Sequence, residues 1–127
     1  MIYFISGHLD LTLEEFLEHY SPKIIEAAKN GHTFVVGDAR GADAMAQKLL
    51  AELDASAFVY HMFGASRNNC GFKTVGGFAS DNERDEALTK ASDYDIAWVR
   101  PGREKSGTAK NIRRRLEKTI KSEFIWP

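Results

Sequence analysis

Residues 33–43 have the sequence Thr-Phe-Val-Val-Gly-Asp-Ala-Arg-Gly-Ala-Asp, which is the strongest single indication of the fold class. Its apolar and β-branched start predicts a buried strand over Thr33–Val36. Two glycines then flank Arg40, and apolar residues follow at helical spacing at positions 42, 45, 46, 49, 50 and 53. A strand that runs through a short turn into a helix needs a crossover connection, which is typical of a parallel sheet.

The same alternation extends towards both ends of the chain. Further strands are expected at Ile2–Ser6, Ala57–Phe63 and Tyr94–Val99. Further helices are expected from Leu13 behind the capping box Thr12–Glu15, over Pro22–Lys29, behind a second capping box Ser80–Glu83, and from Ser106–Thr108. The last helix has an apolar line that we expect to face inward: Ala109, Ile112, Leu116 and Ile120.

Two stretches carry no clear periodicity. Residues 64–79 are rich in Gly and Asn and predict a long loop, able to close over a binding site. Residues 124–126 predict a short edge strand or a segment packed on the outside. The whole pattern predicts one α/β domain over 1–127, a three-layer fold with a mostly parallel sheet of four to five strands and helices on both faces. In such sheets ligands bind beyond the carboxyl ends of the strands.

Composition limits the class of protein. A chain of 127 residues that is 43% hydrophobic and 28% charged suits one compact domain. Its longest apolar runs are far shorter than the ~18–20 residues of a membrane span, and residues 1–5 do not resemble a signal peptide. Cys70 is the only cysteine, which excludes an internal disulfide. We therefore expect a cytoplasmic domain.

Charge is distributed unevenly along the sequence. Residues 100–121 contain nine lysines and arginines against two glutamates, whereas residues 1–99 are acidic. This asymmetry indicates an anionic partner near the C-terminal helix, either a small ligand or nucleic acid. A solvated helix face is the alternative.

Three stretches that follow predicted strands carry groups suited to an anionic ligand: Ser6-Gly7-His8, Gly37–Asp43 and Pro101–Asn111. In the last, Ser106-Gly107-Thr108 offers amides at a helix N-terminus, two hydroxyls and a glycine that permits close approach. An ordinary helix start with a serine or threonine N-cap is the alternative. The planar guanidinium group of Arg40 can donate two parallel hydrogen bonds to a phosphate or carboxylate.

The two carboxylates beside Arg40 have a different expected role. A carboxylate ~4 Å from a phosphate charge is repelled by about 4 kcal/mol at an effective dielectric of 20. We therefore assign Asp38 and Asp43 to sugar hydroxyls, base amines or structural caps, with an N-cap role for Asp43 as the main alternative.

Acid–base chemistry has two candidates, Glu83 and Asp85, at the start of a helix. Neighbouring helical positions do not share a face, so the two do not act as a pair, and Glu83 is also the acid of a capping box. Arg84 or Asp85 is a candidate to face the site. The histidines at positions 8, 19, 32 and 61 lack the spacing of metal ligands, and we expect no metal and no cofactor.

The stretch from Gly37 to Asp43 resembles the glycine–alanine–arginine–glycine–alanine–aspartate signature of the SLOG superfamily. This superfamily includes the DNA-processing protein A and Lonely Guy families, and its small YspA-type branch is the most similar. Arg84-Asp85, residues 93–97 and Ser106–Asn111 are similar to the second half of the same layout, and to nucleoside 2-deoxyribosyltransferases. The resemblance spans roughly residues 1–116.

The resemblance implies a Rossmann-like domain that binds a nucleotide or nucleotide derivative, often as a homo-oligomer. It also implies a ligand site formed by Gly37, Arg40, Gly41, Asp43, Ser106, Gly107 and Thr108. One departure weakens the transfer of glycosidic-bond cleavage to this chain. Lys110 and Asn111 stand where the hydrolases and transferases of the group have a glutamate.

Three hypotheses follow, of which the first is preferred. The domain binds a nucleotide as a sensor or ligand sink, it cleaves the N-glycosidic bond of a nucleoside monophosphate, or it binds DNA through its basic C-terminal helix. The candidate ligand-binding residues are Ser6, Gly7, His8, Gly37, Asp38, Arg40, Gly41, Asp43, Arg84, Ser106, Gly107, Thr108 and Asn111. The candidate catalytic residues are Glu83 and Asp85.

Overall fold

The computed structural model describes residues 1–62, 64 and 67–124, and the side chains within these ranges up to residue 119. In chain order the elements are β1 (Ile2–Ile5), α1 (Leu13–His19), α2 (Ser21–Lys29), β2 (Thr33–Gly37), α3 (Ala42–Glu52), β3 (Ala57–Met62), β4 (Lys73–Phe78), α4 (Asp81–Lys90), β5 (Tyr94–Ile96) and α5 (Gly107–Phe124).

The strands form one five-stranded sheet with the order β4-β3-β2-β1-β5, and every neighbouring pair is parallel. From β1 the chain runs outward to β4 and then returns to the other side of β1. The strand order therefore reverses between β1 and β5, where open α/β sheets place their ligands. The predicted three-layer, Rossmann-like architecture is confirmed.

Helices cover both faces of the sheet. Successive strand residues point to opposite faces, so Ile5 and Val36 face one side while Phe4 and Val35 face the other. The first side packs against α1, α2 and α3 in the larger core cluster. The second packs against Leu88 of α4, and α4 in turn contacts α5. Both faces of the central strands are thus buried, as parallel sheets require.

The start of the first helix follows the predicted capping box. Thr12 Oγ1 accepts the Glu15 N–H at 3.1 Å, and the Glu15 carboxylate accepts the Thr12 N–H at 2.9 Å. The expected interruption at Ser21-Pro22 is also present, since α1 ends at His19 and α2 begins at Ser21. Proline at the second helical position of α2 removes a donor that has no acceptor there.

The loop predicted over 64–79 is wrong in its second half, because Lys73–Phe78 forms strand β4. This strand is exposed along most of its length and contains Gly76 and Gly77, so it lacks the apolar alternation that marks a strand in a sequence. It pairs with β3 at the edge of the sheet, and Gly76 leaves room for the ring of His61. Tertiary pairing, and not local propensity, forms this strand.

Several other boundaries differ from expectation, including the ends of three strands. The strand predicted over Tyr94–Val99 ends at Ile96, and the first strand ends at Ile5 rather than Ser6. The third ends at Met62, with Phe63 outside the described residues. Of the proposed C-terminal edge strand, Phe124 belongs to α5, while Ile125 and Trp126 lie outside the described residues.

The apolar line predicted to face inward on α5 is only partly buried. Ala109 is buried, but Ile112 is 37% exposed and Leu116 is 59% exposed, and the side chain of Ile120 lies outside the described residues. Polar side chains hold this helix to the molecule instead. Arg115 donates to the Asp95 carboxylate at 3.1 Å and to the Ser92 carbonyl at 2.8 Å.

Candidate functional site

A cavity of about 270 Å³ opens at the carboxyl ends of the strands, beside the reversal of strand order. Five segments line it: residues 6–9 after β1, residues of the turn after β2, Arg67 after β3, the start of α4, and the start of α5 with the preceding Arg103. Phe4 and Leu88 form an apolar part of the wall. The volume lies just below the ~300–1,000 Å³ of typical small-molecule sites, which fits one compact ligand.

Most of the residues predicted from sequence line this one cavity. They are Ser6, Gly7, His8, Gly37, Asp43, Arg84, Asp85, Ser106, Gly107, Thr108 and Asn111. Four predicted residues do not line it: Asp38, Arg40, Gly41 and Glu83. The turns after β1 and β2 and the start of α5 therefore lie at the same cavity, but some of their side chains have other roles.

The turn after β2 needs its second glycine for close packing of backbone on backbone. Gly41 has a φ of 73°, and a Cβ atom there would lie 2.4 Å from the Leu9 carbonyl oxygen. The next residue, Ala42, donates its N–H to the His8 carbonyl at 3.2 Å. Gly41 therefore joins the turns after β1 and β2. The preceding side chain, Arg40, is exposed and does not line the cavity.

Tyr20 holds the end of β1 in place through its hydroxyl group. Its hydroxyl donates to the Ser6 carbonyl at 2.7 Å and accepts the Trp98 N–H at 3.0 Å, so it bridges the chain segments that follow β1 and β5. Burial raises the pKa of Tyr20 to about 12, which keeps this donor protonated. Gly7 is required at this point, because a Cβ atom would lie 2.5 Å from the Tyr20 oxygen.

Asp38 is a buried hub that binds arginines. Its carboxylate accepts from the backbone N–H of Arg67 at 2.7 Å, from the Arg67 guanidinium at 2.8 Å and from Arg84 Nη1 at 3.0 Å. Burial alone would raise the pKa of Asp38, but the hydrogen bonds and charges of these arginines outweigh it and hold the pKa below its usual value. Asp38 is therefore a support of the site and does not line it.

Arg84 supplies the buried guanidinium of the cavity. Its side chain is 7% exposed and forms ion pairs with Asp38 at 3.0 Å, Asp85 at 3.1 Å and Asp81 at 3.3 Å. The sequence predicted a guanidinium at the site and named Arg40 as its main source, whereas Arg84 holds that position. Its neighbour Glu83 accepts the Ala79 N–H at 3.0 Å and so caps the start of α4.

Two carboxyl groups line the cavity beside Arg84. Asp43 Oδ2 accepts the Ala39 N–H at 3.1 Å, and burial raises the pKa of Asp43 to about 7. Burial also raises the pKa of Asp85, against the opposing effects of Arg84 and Asn111. Carboxyl groups with raised pKa values in a cavity are candidate proton donors, as well as acceptors for ligand hydroxyl or amine groups.

Another part of the cavity lining, at the start of α5, is suited to an anion. The first turn of α5 contributes Gly107 and Thr108, whose N–H groups make no hydrogen bond to any described residue, and a Cβ atom at Gly107 would meet open space. Ser106 Oγ accepts the Ala109 N–H at 3.2 Å and so serves as a cap. Ser6 lines the same cavity and is 5% exposed, and its Oγ has no hydrogen-bond partner among the described residues. Helix N-termini bind anions through such free amides and the helix dipole.

His8 also lines the cavity. Its Nε2 atom accepts the Arg100 N–H at 2.9 Å, which assigns the ring proton of the neutral form to Nδ1. Burial, with the charges of Arg103 and Arg100, lowers the pKa of His8. The lowered pKa favours the neutral ring, which keeps one free N–H donor at Nδ1 and adds no positive charge to the site.

Three charged residues of the cavity were not among the predicted site residues: Arg67, Asp81 and Arg103. Arg67 follows β3 in a stretch without periodicity, so no local signal marked it. Asp81 lies within the predicted capping box Ser80–Glu83, and Arg103 lies within the predicted stretch Pro101–Asn111, but neither was singled out.

Two basic residues of α5, the helix proposed to bind DNA, form hydrogen bonds or ion pairs with other parts of this chain. Arg115 pairs with Asp95, and Lys118 donates to the carbonyls of Thr89 and Ser92 at 3.3 and 3.0 Å. In the part of the chain that the structure describes, no group of three or more His, Cys, Asp or Glu side chains is arranged to hold a metal ion. None of the described helices is both long enough and apolar enough to span a membrane.

Comparison with known proteins gives no independent assignment. No protein-family model matches the chain, and neither the curated proteins nor the solved structures that were searched contain a significant match.

Proposed function

We propose that the cavity binds a nucleotide or nucleotide derivative, with a phosphate on the first turn of α5 and hydroxyl or amine groups of the ligand on Asp43 and Asp85. The observation that carries this proposal is that one cavity is lined by two kinds of group. The start of α5 supplies free amides beside the unpartnered serine at position 6, and the buried Asp43 and half-buried Asp85 supply carboxyl groups.

Charge explains why a ligand would take this orientation. A phosphate beside Asp43 and Asp85 would be repelled if they were ionised, whereas at α5 it meets N–H donors and a favourable dipole. Sugar hydroxyls and base amines are donors, and carboxylates accept from them. The resemblance to nucleotide-binding domains and the position at the switch in strand order support the same ligand class.

The test is a thermal-shift and calorimetric screen of nucleoside monophosphates, the matching nucleosides and inorganic phosphate. A ligand at 100 times its Kd stabilises the folded state by ~2.7 kcal/mol, which for a domain of this size is a rise in Tm of roughly 8–16 °C. No shift with any phosphorylated compound would refute the proposal.

The variant Gly107→Glu tests whether the phosphate binds at the first turn of α5. Because a Cβ atom there meets open space and acidic residues favour a helix N-terminus, we expect the ligand-free protein to keep or slightly gain stability. The added carboxylate would repel a phosphate on α5, so binding should be lost. Gly107→Ala is the matched control, since it adds the Cβ atom without the charge. If the Glu variant binds as the Ala variant does, the phosphate does not lie on α5.

A second candidate function is cleavage of the N-glycosidic bond, and the raised pKa of Asp85 inside the cavity favours it. In this reaction the protonated carboxyl group gives its proton to the departing base. Water then adds to the anomeric carbon and returns a proton to the carboxylate. Chromatography of nucleoside monophosphates incubated with the protein would detect free base. Base released by the natural protein but not by Asp85→Asn would establish the enzyme, and no base with any substrate would leave binding alone.

The homo-oligomer implied by the resemblance is part of the same proposal. Sedimentation equilibrium with and without the bound nucleotide tests it, and a mass of 14.2 kDa under both conditions would contradict it.

A further inference from the structure

Arg103 lines the cavity on a rigid backbone but with a weakly held side chain. Its N–H donates to the Arg100 carbonyl at 2.9 Å, and its carbonyl accepts the Ser106 N–H at 3.0 Å, so two successive turns fix its position just before α5. The guanidinium is 42% exposed, and among the described residues it contacts only the Asp10 carboxylate, at 3.4 Å.

Asp10 does not depend on Arg103. Arg100 donates to both carboxylate oxygens of Asp10 at 3.2 Å and to its carbonyl at 3.1 Å, and it also pairs with Glu15 at 2.7 Å. If Arg103 moved away, Asp10 would keep its closer cationic partner. Asp10 is itself 59% exposed, so water would replace the lost contact. The Arg103–Asp10 pair is therefore the weaker and more easily exchanged part of this ion cluster.

The wall beside Arg103 is suited to an anion for a reason independent of the arginine. Ser6 is 95% buried, lines the cavity and has an Oγ without a partner among the described residues. The Gly107 and Thr108 amides lie at the N-terminus of a helix of 18 residues.

We propose that Arg103 is a specificity-determining residue that exchanges Asp10 for the phosphate of the ligand and thereby selects a phosphate monoester over an unphosphorylated nucleoside. This inference rests on the proposed function. A terminal monoester carries two negative charges at neutral pH, and its oxygens that do not contact the α5 amides remain available to the guanidinium. An unphosphorylated ligand offers no anion to replace Asp10, so Arg103 would stay on the carboxylate.

Calorimetry with adenosine 5′-monophosphate, ribose 5-phosphate, inorganic phosphate and adenosine tests the exchange in four proteins. These are the natural chain, Arg103→Gln, Asp10→Asn and Lys105→Gln. The Arg103 variant should bind the phosphorylated probes roughly 3- to 10-fold more weakly, because it loses a charged hydrogen bond that is partly screened by solvent. The Asp10 variant removes the competitor and should bind them up to about 3-fold more tightly.

Lys105→Gln is the matched control. It removes the same charge two residues along the chain from an exposed side chain that does not line the cavity. If it weakens binding as much as Arg103→Gln does, the effect is general electrostatics and the inference is wrong. Thermal melts of the ligand-free variants check that each one is folded.

The outcomes separate this inference from the proposed function. Failure of the natural protein to bind any phosphorylated probe would remove both. Normal binding by the natural protein with unchanged affinity in Arg103→Gln would remove the role of Arg103 alone. Opposite shifts in the Arg103 and Asp10 variants, confined to the phosphorylated probes, would support the exchange.

Discussion

Ser6→Ala should stabilise the ligand-free protein and weaken its complex, two effects of opposite sign from the loss of one oxygen atom. The Ser6 side chain is buried without a hydrogen-bond partner among the described residues. The backbone bonds that hold this residue do not involve the hydroxyl. Its N–H donates to the Ile96 carbonyl at 3.1 Å, and its carbonyl accepts from Tyr20 at 2.7 Å. Both bonds survive the substitution.

The magnitudes follow from the cost of an unsatisfied polar group. A buried hydroxyl without a partner costs ~1–3 kcal/mol. We expect the alanine variant to recover about 1 kcal/mol of unfolding free energy, and so to gain about 3–6 °C in Tm. If the hydroxyl binds a phosphate in the complex, its loss costs ~1.5–3 kcal/mol, the range for a charged hydrogen bond, or roughly a 10- to 150-fold rise in Kd.

The assay is chemical denaturation of the ligand-free variants together with calorimetric titration of the best phosphorylated ligand. Ser92→Ala is the matched control, because Ser92 is equally buried but its Oγ donates to the Leu88 carbonyl at 2.6 Å. That variant should lose stability and keep its affinity. A Ser6→Ala variant that is destabilised like the control, or that binds ligand unchanged, would refute the assignment of Ser6 to the anion site.

Three further predictions concern the groups around the cavity. Arg40→Ala should leave ligand affinity unchanged in calorimetry, because Arg40 is exposed and does not line the cavity; a 10-fold loss would contradict this. Asp43 has a raised pKa of about 7 in the folded state, so its contribution to stability is complete below pH ~4 and is lost as the pH rises to about 7. Denaturation of Asp43→Asn across this interval should show a less negative slope of stability against pH than the natural protein. Asp38→Asn should cost ~3–5 kcal/mol, the range for breaking a buried ion pair, and speed hydrogen exchange at the Arg67 amide, which donates to Asp38 at 2.7 Å. Unchanged exchange at Arg67 would show that the bond does not hold this segment.

Local signals predicted most of the fold. The β2–turn–α3 unit, the capping box at Thr12 and the helix break at Pro22 all depend on residues within a few positions of one another. Strand β4 was missed because its own side chains are exposed and two glycines interrupt it, so it lacks an apolar alternation. The inward face of α5 was misjudged because ion pairs, which have no hydrophobic period, hold it.

For the candidate site too, local signals predicted part of the arrangement, and contacts between distant residues determined the rest. The sequence predicted which turns would meet, since parallel strands bring their carboxyl ends to one edge of the sheet. It assigned both Arg40 and Arg84 to the site, and of these two only Arg84 lines the cavity. Gly41 packs against the backbone of Leu9 and leaves Arg40 outside, while Asp38 draws Arg84 and Arg67 inward. The inward positions of Arg67 and Arg84 depend on contacts between residues that are 29 to 46 positions apart.

Ion pairs, and not apolar contacts, attach the C-terminal helix to the sheet. Its aliphatic positions therefore tolerate substitution better than its charged ones, the reverse of the usual pattern. Replacing Ile112 or Leu116 by a polar residue should matter little for a monomer, because solvent already reaches both. Arg115 and Asp95 cannot change singly without leaving a charge stranded beneath the helix. Over evolutionary time this pair would therefore be replaced together, by two apolar residues or by the same two charges exchanged, while the aliphatic positions drift.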